Sequence, residues 1–266
     1  MLDLNQRPPR VLIGTPHNGG MLPACAHSIM ETIAKTPPHV AQVRWQPCSG
    51  SNIAENEAEL VECAESFSAD YLFSVENDMA FPGEALGLLL AHRKPIVGCT
   101  YPFKDANLLA KLIAEKLDGK DRGAQLRYMG KELDGSAITL QSLIHGRPEG
   151  DYVRQVEFIP MGLTLISMEA IRAVRANRTA KAAPALPDGV LASAFVHAEA
   201  YAPDYNAKRT ITTTTDSTFC MNAREAGLEI WLDGRLSLLV EHIGFAHYAV
   251  LPEVWAAPEM MTGQAA

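Results

Sequence analysis

Asp70-Tyr71-Leu72-Phe73-Ser74-Val75-Glu76-Asn77-Asp78-Met79 is the stretch from which the rest of the chain is read. Its run Tyr71–Val75 is apolar, aromatic and β-branched, the composition of a buried strand. The run stops at two carboxylates with one residue between them. In an extended chain Glu76 and Asp78 project to the same side. Ligands of open α/β sheets bind beyond the carboxyl ends of the strands, which is where this pair is aimed. Two acids held this close repel each other unless a cation or a proton shares the site. Oxygen ligands of this kind suit Mg²⁺ or Mn²⁺ carrying a phosphorylated ligand. The alternative is a surface turn after a strand, in which Glu-Asn-Asp is ordinary turn chemistry.

Working outward, Arg10–Gly14 reads as a first strand, and the loop Thr15-Pro16-His17-Asn18-Gly19-Gly20 opens a helix over about Met21–Ala34. Val40–Trp45 is a second strand of alternating character. After Cys48-Ser49-Gly50-Ser51, Asn52 is placed to cap a helix on which Ile53, Leu60, Ala64 and Phe67 mark one face. The acidic residues between Glu55 and Glu65 on that helix read as a solvated face. Phe81-Pro82-Gly83-Glu84 starts a further helix at its proline, and Pro95–Cys99 is a fourth strand. Strand and helix alternate up to about residue 104, which argues a mainly parallel sheet with helices on both faces.

Beyond that point the rhythm loosens. One helix is expected over Ala106–Leu117, strands over Val153–Ile159 and Leu163–Ser167, and a short helix over Met168–Ala176. The Ala- and Pro-rich segment Ala180–Pro187 reads as a loop. Asp216–Ala226 reads as a helix stopped by Gly227 in the C′ position. Glu229–Leu232 and Ser237–Val240 are expected as late strands, the second delivering Glu241-His242-Ile243-Gly244.

A hydrophobic content of 47% with 20% charged residues describes an ordinary globular chain with ample core. The net charge of −8 argues against a broad nucleic-acid surface or an anionic-membrane anchor. No signal-peptide core opens the chain and no segment reaches transmembrane length, so no membrane partner is expected. Five scattered cysteines, odd in number and without a C-x-x-C pair, point to reduced thiols and a cytoplasmic location.

Taken in order along the chain, several motifs resemble a GT-A-type glycosyltransferase of the small bacterial and phage group related to glycosyltransferase family 2. Thr15, Pro16 and His17 resemble the donor-base loop. Ser51-Asn52-Ile53-Ala54-Glu55-Asn56 stands where many members open the second helix with an Arg-Asn pair, which marks Asn52 and Asn56. Glu76-Asn77-Asp78 matches the short acidic metal motif. Met161–Ile166 resembles the Gly-rich acceptor-side strand, and Asp216 matches the second acid of the usual Glu-Asp pair. The pattern is departed from at Glu55, where Arg is usual, at Glu76, where Asp is more frequent, and at Thr215, where Glu is usual.

The resemblance implies a GT-A, Rossmann-like sheet flanked by helices. It implies one domain over residues 1–266: a nucleotide-sugar half at 10–104, a mixed acceptor-side half at 105–250 and a tail at 251–266. It implies a nucleotide-sugar donor, UDP-linked by default, bound through Thr15, Pro16, His17, Asn52, Asn56, Glu76 and Asn77. Mn²⁺ or Mg²⁺ is expected on Asp78, Glu76 and His242, and the imidazole favours Mn²⁺. A divalent ion across two phosphates stabilises the departing nucleoside diphosphate as a Lewis acid. A carboxylate at a helix start can take the acceptor's hydroxyl proton, which makes Asp216 the base of an inverting transfer.

Each residue has a plainer reading. Asp216 also suits a helix N-cap, and His242 a packed core histidine. Trp231 and Trp255 read as packed aromatics. The Thr15–Gly20 loop lacks both the Walker spacing and G-x-G-x-x-G. The related alternative, a sugar-phosphate nucleotidyltransferase, would carry Arg or Lys in a Gly-rich loop after the first strand, and Gly14–Gly20 has neither. A nucleotide-sugar- or glycan-binding protein without chemistry is the third reading. The sequence leaves the acceptor open among small molecule, glycan, protein and modified DNA base, and sets no oligomeric state.

Overall fold

The computed structural model describes residues 7–50, 53–104, 128–144, 152–181, 215–244 and 247–249. Its architecture is the α/β arrangement expected, a mostly parallel sheet with helices against both faces. In chain order the elements are β1 (Arg10–His17), α1 (Pro23–Ala34), β2 (Gln42–Ser49), α2 (Ile53–Ser66), β3 (Tyr71–Val75), β4 (Met79–Ala80), α3 (Ala85–Ala91) and β5 (Ile96–Gly98). There follow α4 (Leu140–Ile144), β6 (Val153–Val156), β7 (Leu163–Ser167), α5 (Met168–Lys181), α6 (Thr215–Glu225), β8 (Ile230–Asp233), α7 (Gly234–Ser237), β9 (Glu241–Ile243) and β10 (His247–Ala249).

The large sheet has the order β2-β1-β3-β7-β5-β8-β6. Strands β2, β1, β3, β5 and β8 run one way, and β7 and β6 run against them. A second sheet, β10-β9-β4, stands apart from it. The inner strands β1, β3, β7 and β5 are covered on both faces, so their side chains divide by the period of two. Val11, Ile13, Phe73 and Val75 pack with Ile29 of α1 and Leu86 of α3 in one core layer. Leu12 and Leu72 pack with Val61 and Ala64 of α2 and Phe219 of α6 in the other.

Helix α6 ends as its sequence predicts. Gly227 has φ +77°, and its N–H donates to the Arg224 carbonyl at 2.9 Å while that of Leu228 reaches the Ala223 carbonyl at 2.9 Å. This is the glycine-dependent Schellman ending.

Several local expectations are corrected. The chain leaves β3 through a turn at Glu76–Asp78, with Met79 N–H donating to the Glu76 carbonyl at 3.3 Å, so the two acids are not neighbours on an extended strand. Helix α3 begins at Ala85, after the proline turn. Strand β6 stops at Val156, and α5 runs on to Lys181.

The expected strand Ser237–Val240 does not form. Asp233 instead caps the short helix α7, its Oδ1 accepting from Leu236 N–H at 2.8 Å. Leu236 and Val240 then bury at helical spacing, and the strand starts at Glu241. The expected helix Ala106–Leu117, the segment Ala182–Pro187, Trp255, the tail 251–266 and Asn52 lie outside the described residues. Among the described residues no helix is long and apolar enough to cross a membrane.

Asp233 also receives His92 Nε2 at 2.8 Å on its other oxygen while only 4% exposed. Asp233→Ala removes both the cap and this partner. The loss of the cap alone is expected to cost about 1 kcal/mol, and Asp233→Asn, which keeps the cap, should recover about that much in denaturant unfolding.

Candidate functional site

The carboxyl end of β3 and the small second sheet meet at one place. Pairing of β4 with β9 sets Met79 opposite His242, and Ile243 N–H donates to the Asp78 carbonyl at 2.7 Å. Backbone register therefore carries the imidazole to the acidic turn. His242 is 8% exposed, and ligand atoms of Glu76, Asp78 and His242 all lie within 4.8 Å of one another.

The tautomer of His242 follows from its bonds. Its Nδ1 lies 2.9 Å from the Pro102 carbonyl oxygen, which can only accept, so Nδ1 carries the proton. Burial holds this imidazole below its ordinary pKa, and Lys104 adds to the depression, against the Pro102 bond and the Asp78 charge. The ring is thus neutral near pH 7, with a bare lone pair on Nε2. That nitrogen faces Asp78 Oδ1 at 3.7 Å. Asp78 Oδ1 is buried and has no hydrogen-bond partner among the described residues. An imidazole lone pair facing a carboxylate oxygen that has no hydrogen-bond partner is the donor set of a shared cation. The carbonyl that fixes the far ring nitrogen is the customary support of a metal-bound histidine.

Glu76 is built in from the other side. Tyr101, fully buried, donates its hydroxyl to Glu76 Oε2 at 3.3 Å and accepts from Gly162 N–H at 3.0 Å. Gly162 returns the contact by accepting from Glu76 N–H at 3.0 Å. Tyr101 also stacks on His242, ring centroids 4.8 Å apart. A Cβ on Gly162 would lie 2.1 Å from the Tyr101 hydroxyl and 3.0 Å from Glu76 Oε2, so only glycine admits this approach. Lys104 completes the rim, its ammonium paired with Asp78 Oδ2.

Behind Glu76 lie two further carboxyls. Asp216 opens α6, is 6% exposed, accepts Met161 N–H on Oδ2 at 3.3 Å and receives the Thr215 hydroxyl on Oδ1 at 3.1 Å. Burial raises its pKa, and these bonds together with its own backbone N–H oppose the rise. Glu57 of α2 is 3% exposed, the exception on a helix whose acids Glu55, Glu59, Glu62 and Glu65 face solvent as expected. Burial pushes its pKa well up, the charges of Asp216 and Glu76 add to this, and a hydrogen bond with Thr215 opposes it. Its Oε2 is buried with no partner among the described residues. The position was readable: Glu57, Leu60, Val61 and Ala64 share one helical face, so this glutamate interrupts the apolar stripe and not the polar one. Burial likewise raises Glu76, with the charges of Asp216 and Asp78 adding, to about 8.

The remaining sequence-derived residues form a second group. Thr15 is fully buried and its hydroxyl accepts from Trp45 Nε1 at 3.1 Å. Pro16 is buried in β1 opposite Cys48. Asn56 donates from Nδ2 to the carbonyls of His17 and Gly50, both at 3.2 Å, and so ties the ends of β1 and β2 together. Asn77 donates its side-chain amide to the Gly20 carbonyl, and its own carbonyl accepts Leu22 N–H at 3.1 Å. It fastens the acidic turn to the loop before α1. Tyr101, Lys104 and Glu57 went unrecognised in the sequence. The first two follow β5 without any motif.

No protein-family model matches the sequence, and no curated protein matches it. Among solved structures the chain is similar to A197 from STIV, at 13% identity and a TM-score of 0.45, over 88% of this chain and 86% of that one. It is also similar to glucosyl-3-phosphoglycerate synthase from Mycobacterium tuberculosis, solved with Mn²⁺, uridine-diphosphate-glucose and phosphoglyceric acid. That match has 12% identity and a TM-score of 0.33, over 62% of this chain and 59% of that one.

Two outcomes are expected of the metal-free protein. Glu76 titrates at about 8 when folded but near the ordinary carboxylate value when unfolded, so its stability contribution is complete below that value and is lost as pH rises towards 8. The melting temperature of Glu76→Gln should fall less than that of the wild type between pH 5 and pH 8. Parallel profiles would show that Glu76 is not buried among like charges.

Gly162→Ala should destabilise by about 1–3 kcal/mol through overpacking. Adding Tyr101→Phe, which removes the clashing oxygen, should recover part of that loss in the double variant. An additive double variant would rule the contact out.

Proposed function

We propose that this protein is a divalent-metal-dependent glycosyltransferase that moves a sugar from a nucleotide-sugar donor, UDP-linked, to an acceptor hydroxyl. The observation that carries the reading is the pair Asp78 Oδ1 and His242 Nε2, facing each other at 3.7 Å with Glu76 beside them. Carboxylate and imidazole together suit Mn²⁺ better than Mg²⁺. The sequence resemblance supplies the reaction class.

Asp78, His242 and Glu76 would hold the ion. When bound, it would supply Lewis-acid stabilisation to the diphosphate leaving group, worth several kcal/mol. The donor's base and ribose are assigned to the end of β1 around Thr15, Pro16 and His17, together with Asn52, Asn56 and Asn77. The acceptor is assigned to the Met161–Gly162 side of the site, by the resemblance of Met161–Ile166 to an acceptor-side strand. Asp216 takes its hydroxyl proton as the oxygen attacks the anomeric carbon, which inverts that centre. A raised pKa makes this carboxylate a better base, and a carboxylate with two hydrogen bonds still has acceptor sites free.

One observation favours a second reading, a nucleotide-sugar-binding protein without chemistry. Both oxygens of Asp216 are already bonded within the fold, to Met161 N–H and to the Thr215 hydroxyl. That arrangement serves a structural tie between α6 and the Met161 backbone as well as a base.

The test is release of nucleoside diphosphate from a panel of nucleotide sugars with Mn²⁺, alone and with candidate acceptors. Asp78→Asn should abolish release and Mn²⁺ binding together. Asp216→Asn keeps the capping geometry and should lower turnover by about 10²–10⁴-fold with Mn²⁺ and nucleotide affinity nearly unchanged. Full turnover by Asp216→Asn, or a product of retained configuration, would remove Asp216 as the base. Binding of a nucleotide sugar without release under any condition would select the second reading.

A further inference from the structure

Lys104 has no place in the ligand set, yet it touches that set more closely than any other cation of the described residues. Its ammonium pairs with Asp78 Oδ2, the oxygen turned away from His242. Its backbone is anchored on the segment that also orients the site. Tyr101 accepts Met129 N–H at 2.9 Å on its carbonyl, Pro102 bridges to Tyr128, and the Pro102 carbonyl holds His242. The side chain itself stays at an exposed rim. A flexible four-carbon stem with a hydrated charge at its tip leaves such a position at little cost.

The pairing leaves donor atoms over. Asp78 Oδ1 is buried without a hydrogen-bond partner among the described residues and faces His242 Nε2 at 3.7 Å. The site has a monovalent occupant at its edge and donor atoms for a divalent one at its centre.

We propose that Lys104 is a tethered electrostatic competitor for the divalent ion: from Asp78 Oδ2 it neutralises the carboxylate whose other oxygen faces His242, and it turns to the donor's diphosphate when ion and donor bind. This deepens the metal-dependent reading above and rests on it. The consequence is ordered occupancy. An ion arriving alone at Oδ1 meets a carboxylate already neutralised from Oδ2, with the lysine's positive charge close by. An ion arriving with a diphosphate offers the lysine a new anion, so metal and donor bind better together than apart.

The experiment measures binding, not turnover. Mn²⁺ alone is titrated calorimetrically into wild type, Lys104→Met and Lys104→Arg, and UDP is titrated into each at saturating Mn²⁺. Lys104→Met keeps the apolar stem and removes the charge. It should bind Mn²⁺ about twofold to fivefold more tightly than wild type, the scale of a partly exposed ion pair. Mn²⁺ should also raise its melting temperature by more than that of the wild type, because its Asp78 starts without a partner. Its affinity for UDP should fall by a similar factor, and Lys104→Arg should stay near wild type in both.

The proposal requires both changes in Lys104→Met. Equal or weaker Mn²⁺ binding, or unchanged UDP binding, overturns it. If wild type binds Mn²⁺ and Asp78→Asn does not, the metal site itself stands in that case. If neither wild type nor Lys104→Met binds Mn²⁺, the metal reading falls and takes this proposal with it.

Discussion

Glu57, Glu76, Asp78 and Asp216 converge on one end of the large sheet, and like charges in a poorly hydrated place cannot all be ionised without compensation. Burial raises Glu57, Glu76 and Asp216 together, and the charge on Asp216 raises both glutamates. The protein meets this in three ways. It surrounds the acids with donors from Tyr101, Thr215 and the Met161 backbone, brings up the Lys104 ammonium, and leaves room for protons. A neutral histidine with its lone pair inward relieves none of that repulsion. Its presence makes sense once the compensating charge is a metal.

The site is assembled from five separate parts of the chain. The β3–β4 turn brings Glu76 and Asp78, β9 brings His242, the segment after β5 brings Tyr101 and Lys104, and the starts of α6 and α2 bring Asp216 and Glu57. The segment from Tyr101 to Lys104 joins the rest. One residue positions Glu76, the next fixes the histidine tautomer, and the last pairs with Asp78. A shift of this segment therefore moves both sides of the candidate metal site at once. Gly162 makes the closest approach to it and is the position least able to accept a side chain.

Most of the sheet was legible because burial on both faces leaves a strong local mark. Tyr71–Val75 and Arg10–Gly14 are strands by composition alone, and Gly227 ends α6 for a stereochemical reason that needs no neighbours. The failures are equally physical. Ser237–Val240 carries an apolar run that suits either a strand or a helix turn, and Asp233 decided for the helix by capping it. Glu57 reads as solvent-facing because acids usually are, although it stands on the apolar face of its own helix.

The sequence by itself determined the alternation of strands and helices, the acidic pair at the end of β3, and the presence of His242 near a late strand. Those features rest on local periodicity and residue type. The tertiary structure alone decided which of them meet. Glu76 and Asp78 face the same space through a turn, and His242 joins them because β4 pairs with β9 in one register. Lys104 reaches Asp78 because the chain after β5 is pinned beside that pairing. Side-chain periodicity reports which face of an element is buried, but carries no record of the distant strand that will cover it. Contacts between residues far apart in the chain are set by closure of the whole sheet, so the charge balance of this site exists only in the folded protein.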